Sequence, residues 1–149
     1  MHKTDIIAPL ILDPNWRVTL IGSALAALVW SERLVKRMVA RLVQGSWVAP
    51  QLAAGIASLP SDNADLSQLR QLLESCDPTS APKTVMSAYA ALALKNDPVA
   101  RSFEKTELFS TYWKLDDVHC YQIVARWRGI WQVAGPYFLR RIGAPEEAV

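Results

Sequence analysis

The densest group of chemically versatile side chains is Asp116-Asp117-Val118-His119-Cys120. Carboxylate, imidazole and thiol are the groups that ligate transition metals, and a carboxylate beside an imidazole can share acid–base work. A helix starting near Asp116 or Asp117 sets Asp116 and His119 at i and i+3, within reach of one point. Two ligands from one helix do not close a metal site. The only other histidine, His2, lies at the N-terminus. A competing reading has Asp116 capping the helix and His119 solvated at the edge of its apolar stripe. Cys120 falls on that stripe and reads as a small core residue. Cys76 sits beside Asp77, with no cation nearby in sequence to lower its thiol pKa.

A second group, Arg126-Trp127-Arg128 with Trp131, combines cations and aromatics as nucleic-acid surfaces do. Helical spacing turns both tryptophans toward one stripe and sends the arginines to either side. Rings that stack on bases must be exposed, so nucleic acid is an unfavoured partner. The six glycines, at 22, 45, 55, 129, 135 and 143, form no phosphate-cradling loop before a lysine, and no serine-nucleophile motif occurs. The expectation is a chain with no cofactor and no catalytic residues. A small helical enzyme or metal protein using Asp116, Asp117 and His119 stands as the alternative.

The elements that position these groups are helices. At 51% hydrophobic and 20% charged, the 149 residues are too apolar for a disordered chain and long enough for one domain with a real core. The run from Asp13 to Trp30 carries no charge between Arg17 and Glu32. It reads as a central buried helix, capped by Asp13 with Pro14 at its first position. Residues 1–12 read as an N-terminal arm interrupted by Pro9, and 143–149 as a frayed tail. No signal peptide is expected from so interrupted a start, and the uncharged run is too short for a membrane span. With only two distant cysteines, a reducing, cytoplasmic setting follows.

After Trp30, Leu34, Val35, Met38, Val39, Leu42 and Val43 share one helical face, and Gly45 ends the helix. Further helices are expected after Ser46, after Ser61-Asp62-Asn63, after Pro82 and after Asp97-Pro98. Phe109 to Leu115 suits a strand or a short helix, and helix is favoured because no partner strand is visible. From Cys120 through Ile123, Val124, Trp127, Trp131, Ala134 and Phe138 runs the cleanest helical periodicity, with a kink or break expected at Gly135-Pro136. The class is therefore all-α, with six to seven helices in one domain. They form either stacked antiparallel hairpins or an irregular bundle.

Expected helix starts at Asp13, Ser46, Ser80 and Asp116 are 33–36 residues apart, a period typical of helical hairpin repeats. Asp13-Pro14-Asn15-Trp16-Arg17-Val18, followed by Ala24, Ala27 and Leu28, resembles the first helix of a HEAT or armadillo-type repeat. Asn96-Asp97-Pro98-Val99-Ala100-Arg101 resembles a second, degenerate start. The resemblance spans two half-repeats and implies a right-handed stack of helix pairs that binds protein.

The charge distribution points the same way. Residues 1–50 carry six Lys and Arg against three acids. Arg33, Lys36, Arg37 and Arg41 share the outer face of the helix after Ser31, with Glu32 and Lys36 spaced for an i,i+4 pair. That face suits an acidic protein partner; a solvated face is its plainer reading. Trp47, Tyr112 and Trp113 fit no stripe, and any of them that is exposed would be a binding anchor. The function expected is a non-enzymatic protein-interaction module, an adaptor or immunity-type protein with one acidic partner. Self-association through exposed tryptophan is a further possibility.

Overall fold

Short polar N-cap side chains start four of the helices. In the computed structural model, which describes residues 2–29, 31–60 and 65–141 and the side chains of the last stretch as far as Gly135, there are nine. They are α1 (Lys3–Leu12), α2 (Trp16–Leu28), α3 (Glu32–Gln44), α4 (Ala49–Ala57), α5 (Ser67–Ser75), α6 (Pro82–Leu94), α7 (Pro98–Phe103), α8 (Glu107–Leu115) and α9 (Cys120–Arg141). Among the described residues there is no strand, so the all-α class holds with more helices than expected.

The caps follow the side-chain chemistry. Ser31 accepts from the Leu34 amide at 3.2 Å, Asp97 from Val99 at 2.9 Å and Thr106 from Phe109 at 3.1 Å. Each satisfies an amide that the first helical turn leaves unpaired. Asp13 acts one step earlier than expected. Its carboxylate accepts from the Asn15 amide at 2.7 Å, and Asn15 caps α2 by accepting from Arg17 at 3.0 Å. Pro14 therefore lies in the preceding turn. The expected caps Ser61, Asp62 and Asn63 lie outside the described residues, as do Trp30 and residues 143–149.

Two layers and a cross-piece describe the packing. The hairpins α1–α2, α3–α4 and α5–α6 each pack internally. Helices α1, α3, α5 and α7 run on in contact as an outer layer, and α2, α4 and α6 as an inner one. Helix α9 packs back on α2, α4 and α6, far from it in sequence. A pure solenoid has contacts only between neighbouring repeats, so α9 closes this stack into a bundle. Among the described residues no helix is long and apolar enough to cross a membrane.

The centre is not where the Asp13–Trp30 run suggested. Thr84 to Leu92 of α6 are all buried, and in α4 every residue but Gln51 is. In α2 only Thr19, Gly22, Ser23 and Ala26 are buried, while Ile21 is 55% exposed. Helix α2 packs on α4 and stands at the end of the inner layer, so one side faces water. Residues 3–12, expected within an arm, form α1. Ile7, Ala8 and Ile11 are buried there, at roughly 1.5–3 kcal/mol for each isoleucine side chain. Pro9 is accommodated on the exposed side of α1. Pro136 likewise does not end α9, which continues to Arg141.

Candidate functional site

The Asp116–Cys120 group is a helix junction. Asp116 closes α8, its amide donating to the Tyr112 carbonyl at 2.9 Å. Its buried carboxylate accepts from the Cys120 amide at 2.7 Å, capping the first turn of α9. His119 has a left-handed φ of 55° and is exposed in the turn before α9. The spacing expected to bring Asp116 and His119 together on one helix is therefore not helical. Among the described residues no group of three metal-ligating side chains forms. Burial, with Asp116 adding to it, pushes the Cys120 thiol up to about 12, which keeps it a neutral core group.

The basic face of α3 forms, and its charges are largely answered. Arg33 pairs with Asp5 of α1, and Lys36 with Glu32 at 3.1 Å. Arg41 is half-buried and donates to the Gly45 carbonyl at 3.3 Å, where it serves the end of its own helix. Arg37 is exposed, with no ion pair among the described residues. Trp47, just past α3, is 80% exposed, with the Lys83 ammonium 4.9 Å from its ring centre. On α9, Trp127 and Trp131 stack at 5.7 Å and pack against the core, while the Arg128 guanidinium donates to the Ala57 carbonyl at 3.1 Å.

Trp113 belongs to a different place. Phe109, Ser110, Trp113 and Lys114 share one face of α8 through i,i+1,i+4,i+5 spacing. With Tyr89 of α6 and Glu104 from the end of α7 they line an open cavity of about 550 Å³. Its floor is aromatic. Tyr89 and Phe109 lie 4.9 Å apart and Phe109 and Trp113 5.5 Å. Phe103 meets Phe109 edge-on at 5.7 Å, an arrangement that the aromatic quadrupole favours. The Tyr89 hydroxyl donates to Glu104 Oε1 at 2.8 Å, and burial followed by this carboxylate raises the phenol pKa well above its ordinary value. The phenol stays a donor, and Glu104 is held at the cavity wall.

Sequence reasoning marked Trp113 and missed its companions. The signal was present in Phe109 and Trp113 at i,i+4, but Tyr89 and Glu104 come from elements that only the fold brings near. Tyr112, which also fitted no stripe, points the other way and is fully buried. Its hydroxyl donates to the carbonyls of Asp77 and Ser80, the latter at 3.0 Å, and so pins the loop before α6. The six expected partner-binding residues thus divide among an α3 face, the Trp47–Lys83 corner and the cavity at Trp113. Set beside known proteins, the chain matches no family model, no curated protein and no solved structure.

Proposed function

We propose that this chain is a non-enzymatic protein-interaction module that binds one protein partner, in the manner of an adaptor or immunity-type protein. The observation that carries the reading is the aromatic cavity at Trp113. An open concavity of this size, floored by rings and edged by a few polar groups, has the form of a ligand-binding site, which an anchor side chain of a partner can also occupy. Trp and Tyr anchors also dominate binding energy at protein interfaces. The two free thiols fit a cytoplasmic setting. The HEAT-like stack of hairpins belongs to the same proposal, with one adjustment. The inner layer, where a stacked-hairpin protein would receive its partner, is already occupied by α9. Docking at the α7–α8 end avoids that conflict.

The test is affinity capture from the source cell with the full chain. One protein is expected on the wild type and on Trp16→Ala, and it is lost on Trp113→Ala. Absence of any retained protein, or retention indifferent to Trp113, ends the proposal. A second reading keeps the acidic partner and docks it at Arg37, Trp47 and Lys83. It is favoured by the cation–π contact that holds Lys83 over an indole 80% exposed. Charge reversal of Arg37 together with Lys83 removes capture under this reading and leaves it intact under the first.

A further inference from the structure

We infer that the Trp113 cavity receives a cation, and specifically an arginine side chain of the partner. This rests on the cavity being the docking site proposed above. Two independent features point to positive charge. The rings of Tyr89, Phe109 and Trp113 line the cavity, and the face of an aromatic ring carries the negative end of its quadrupole. Glu104 adds a carboxylate at the same wall. Its Oε1 is engaged by the Tyr89 hydroxyl at 2.8 Å, which fixes the group, and a carboxylate has acceptor capacity left for an incoming donor. A held acceptor loses little freedom when a ligand arrives.

Arginine suits this pairing better than lysine. A planar guanidinium stacks on an indole or phenol face and presents its N–H groups edge-on to a carboxylate at once. An ammonium does one or the other. Lys114 also lines the cavity, yet no ion pair holds it among the described residues. Its charge sits on a flexible four-carbon stem, free to swing into water. The fixed charge of the site is therefore negative and the mobile one positive. An entering cation displaces Lys114 and keeps Glu104.

The experiment uses the full chain and three capped tripeptides with glycine on either side of arginine, citrulline or glutamate. The readout is the indole N–H resonance of Trp113, assigned with a Trp113→Phe variant. The arginine peptide is expected to shift it saturably, at millimolar concentration. Citrulline, which keeps the shape and loses the charge, should bind at least about fivefold more weakly. Glu104→Gln retains an acceptor for Tyr89, so the fold stands, and weakens the arginine peptide by a similar factor. Lys114→Met should leave it unchanged or tighter. Equal binding of citrulline, preferred binding of glutamate, or an indifferent Glu104→Gln overturns the inference while leaving a docking pocket. No saturable shift with any peptide up to about 10 mM, which marks affinities too weak to matter, also overturns it. The capture experiment then decides the broader proposal alone.

Discussion

The same substitution, glycine to alanine, should have opposite effects at two positions of this chain. Gly22 lies where α2 meets α1. A Cβ added there would stand 2.8 Å from the Ile11 nitrogen, 2.8 Å from the Leu10 carbonyl carbon and 2.9 Å from the Leu10 Cβ. Two of these are backbone atoms and cannot rotate away, so α1 must lift from α2 along the seam that buries Ile7 and Ile11. Overpacking costs about 1–3 kcal/mol. The upper end applies, because opening the seam by even half an ångström forfeits a quarter or more of each dispersion contact across it. Against this, alanine is favoured over glycine in a helix interior by about 1 kcal/mol. The net expectation for Gly22→Ala is a loss of about 2 kcal/mol. Gly129, exposed in the middle of α9, has nothing within 4 Å of its added Cβ. Gly129→Ala keeps only the propensity gain of about 1 kcal/mol. At this chain length each kcal/mol moves Tm by about 2–4 °C. A thermal melt should therefore fall by about 4–8 °C for Gly22→Ala and rise by about 2–4 °C for Gly129→Ala, with urea titration giving the same signs. A Gly22→Ala melt at or above the wild type refutes the close α1–α2 approach, since helix propensity alone would then explain both variants.

Three more outcomes follow from buried groups. Tyr112→Phe removes the hydroxyl that holds the Asp77 and Ser80 carbonyls and should cost about 1–3 kcal/mol by urea denaturation, with backbone exchange quickening across residues 77–81. Asp97 both caps α7 and accepts from the Arg70 guanidinium at 2.9 Å, so Asp97→Ala should lose about 2–3 kcal/mol and Asp97→Asn distinctly less, because the amide oxygen still caps. Cys120 binds its proton more tightly folded than unfolded, its pKa rising from an ordinary 9.0 to about 12. Its contribution is complete below 9.0 and is lost as pH climbs toward about 12, so Cys120→Ala should flatten the alkaline decline of Tm between those values.

Helix class and most helix starts were legible because they are written locally. Pro82, Asp97-Pro98 and Gly45 each act on the turn in which they stand. The amphipathic α3 declared its buried face through spacing alone. The centre of the fold was not legible, because apolarity does not say how many neighbours a helix has. The run containing Ile21 is as apolar as α6, yet Ile21 faces water while α6 is enclosed. The Asp116–His119 pairing failed for a related reason. Its spacing has meaning only on a helix, and a single left-handed residue at His119 moves the start of α9 past it. The cavity needs three separate elements to meet. Only its α8 edge could be read from the chain.

The return of α9 across the inner layer also sets an order of events during folding. Gly135 faces Leu28, about a hundred residues earlier, and contacts so distant in sequence close slowly because loop entropy must be overcome first. While the ribosome is still making α7 and α8, the apolar inner faces of α2, α4 and α6 have no cover. A nascent chain in that state offers a sticky groove to any amphipathic helix nearby, including α9 of a second copy. Exchange of α9 between two chains would satisfy the same contacts, so a slow-forming domain-swapped dimer, favoured at high concentration during refolding, is the natural misassembly of this architecture.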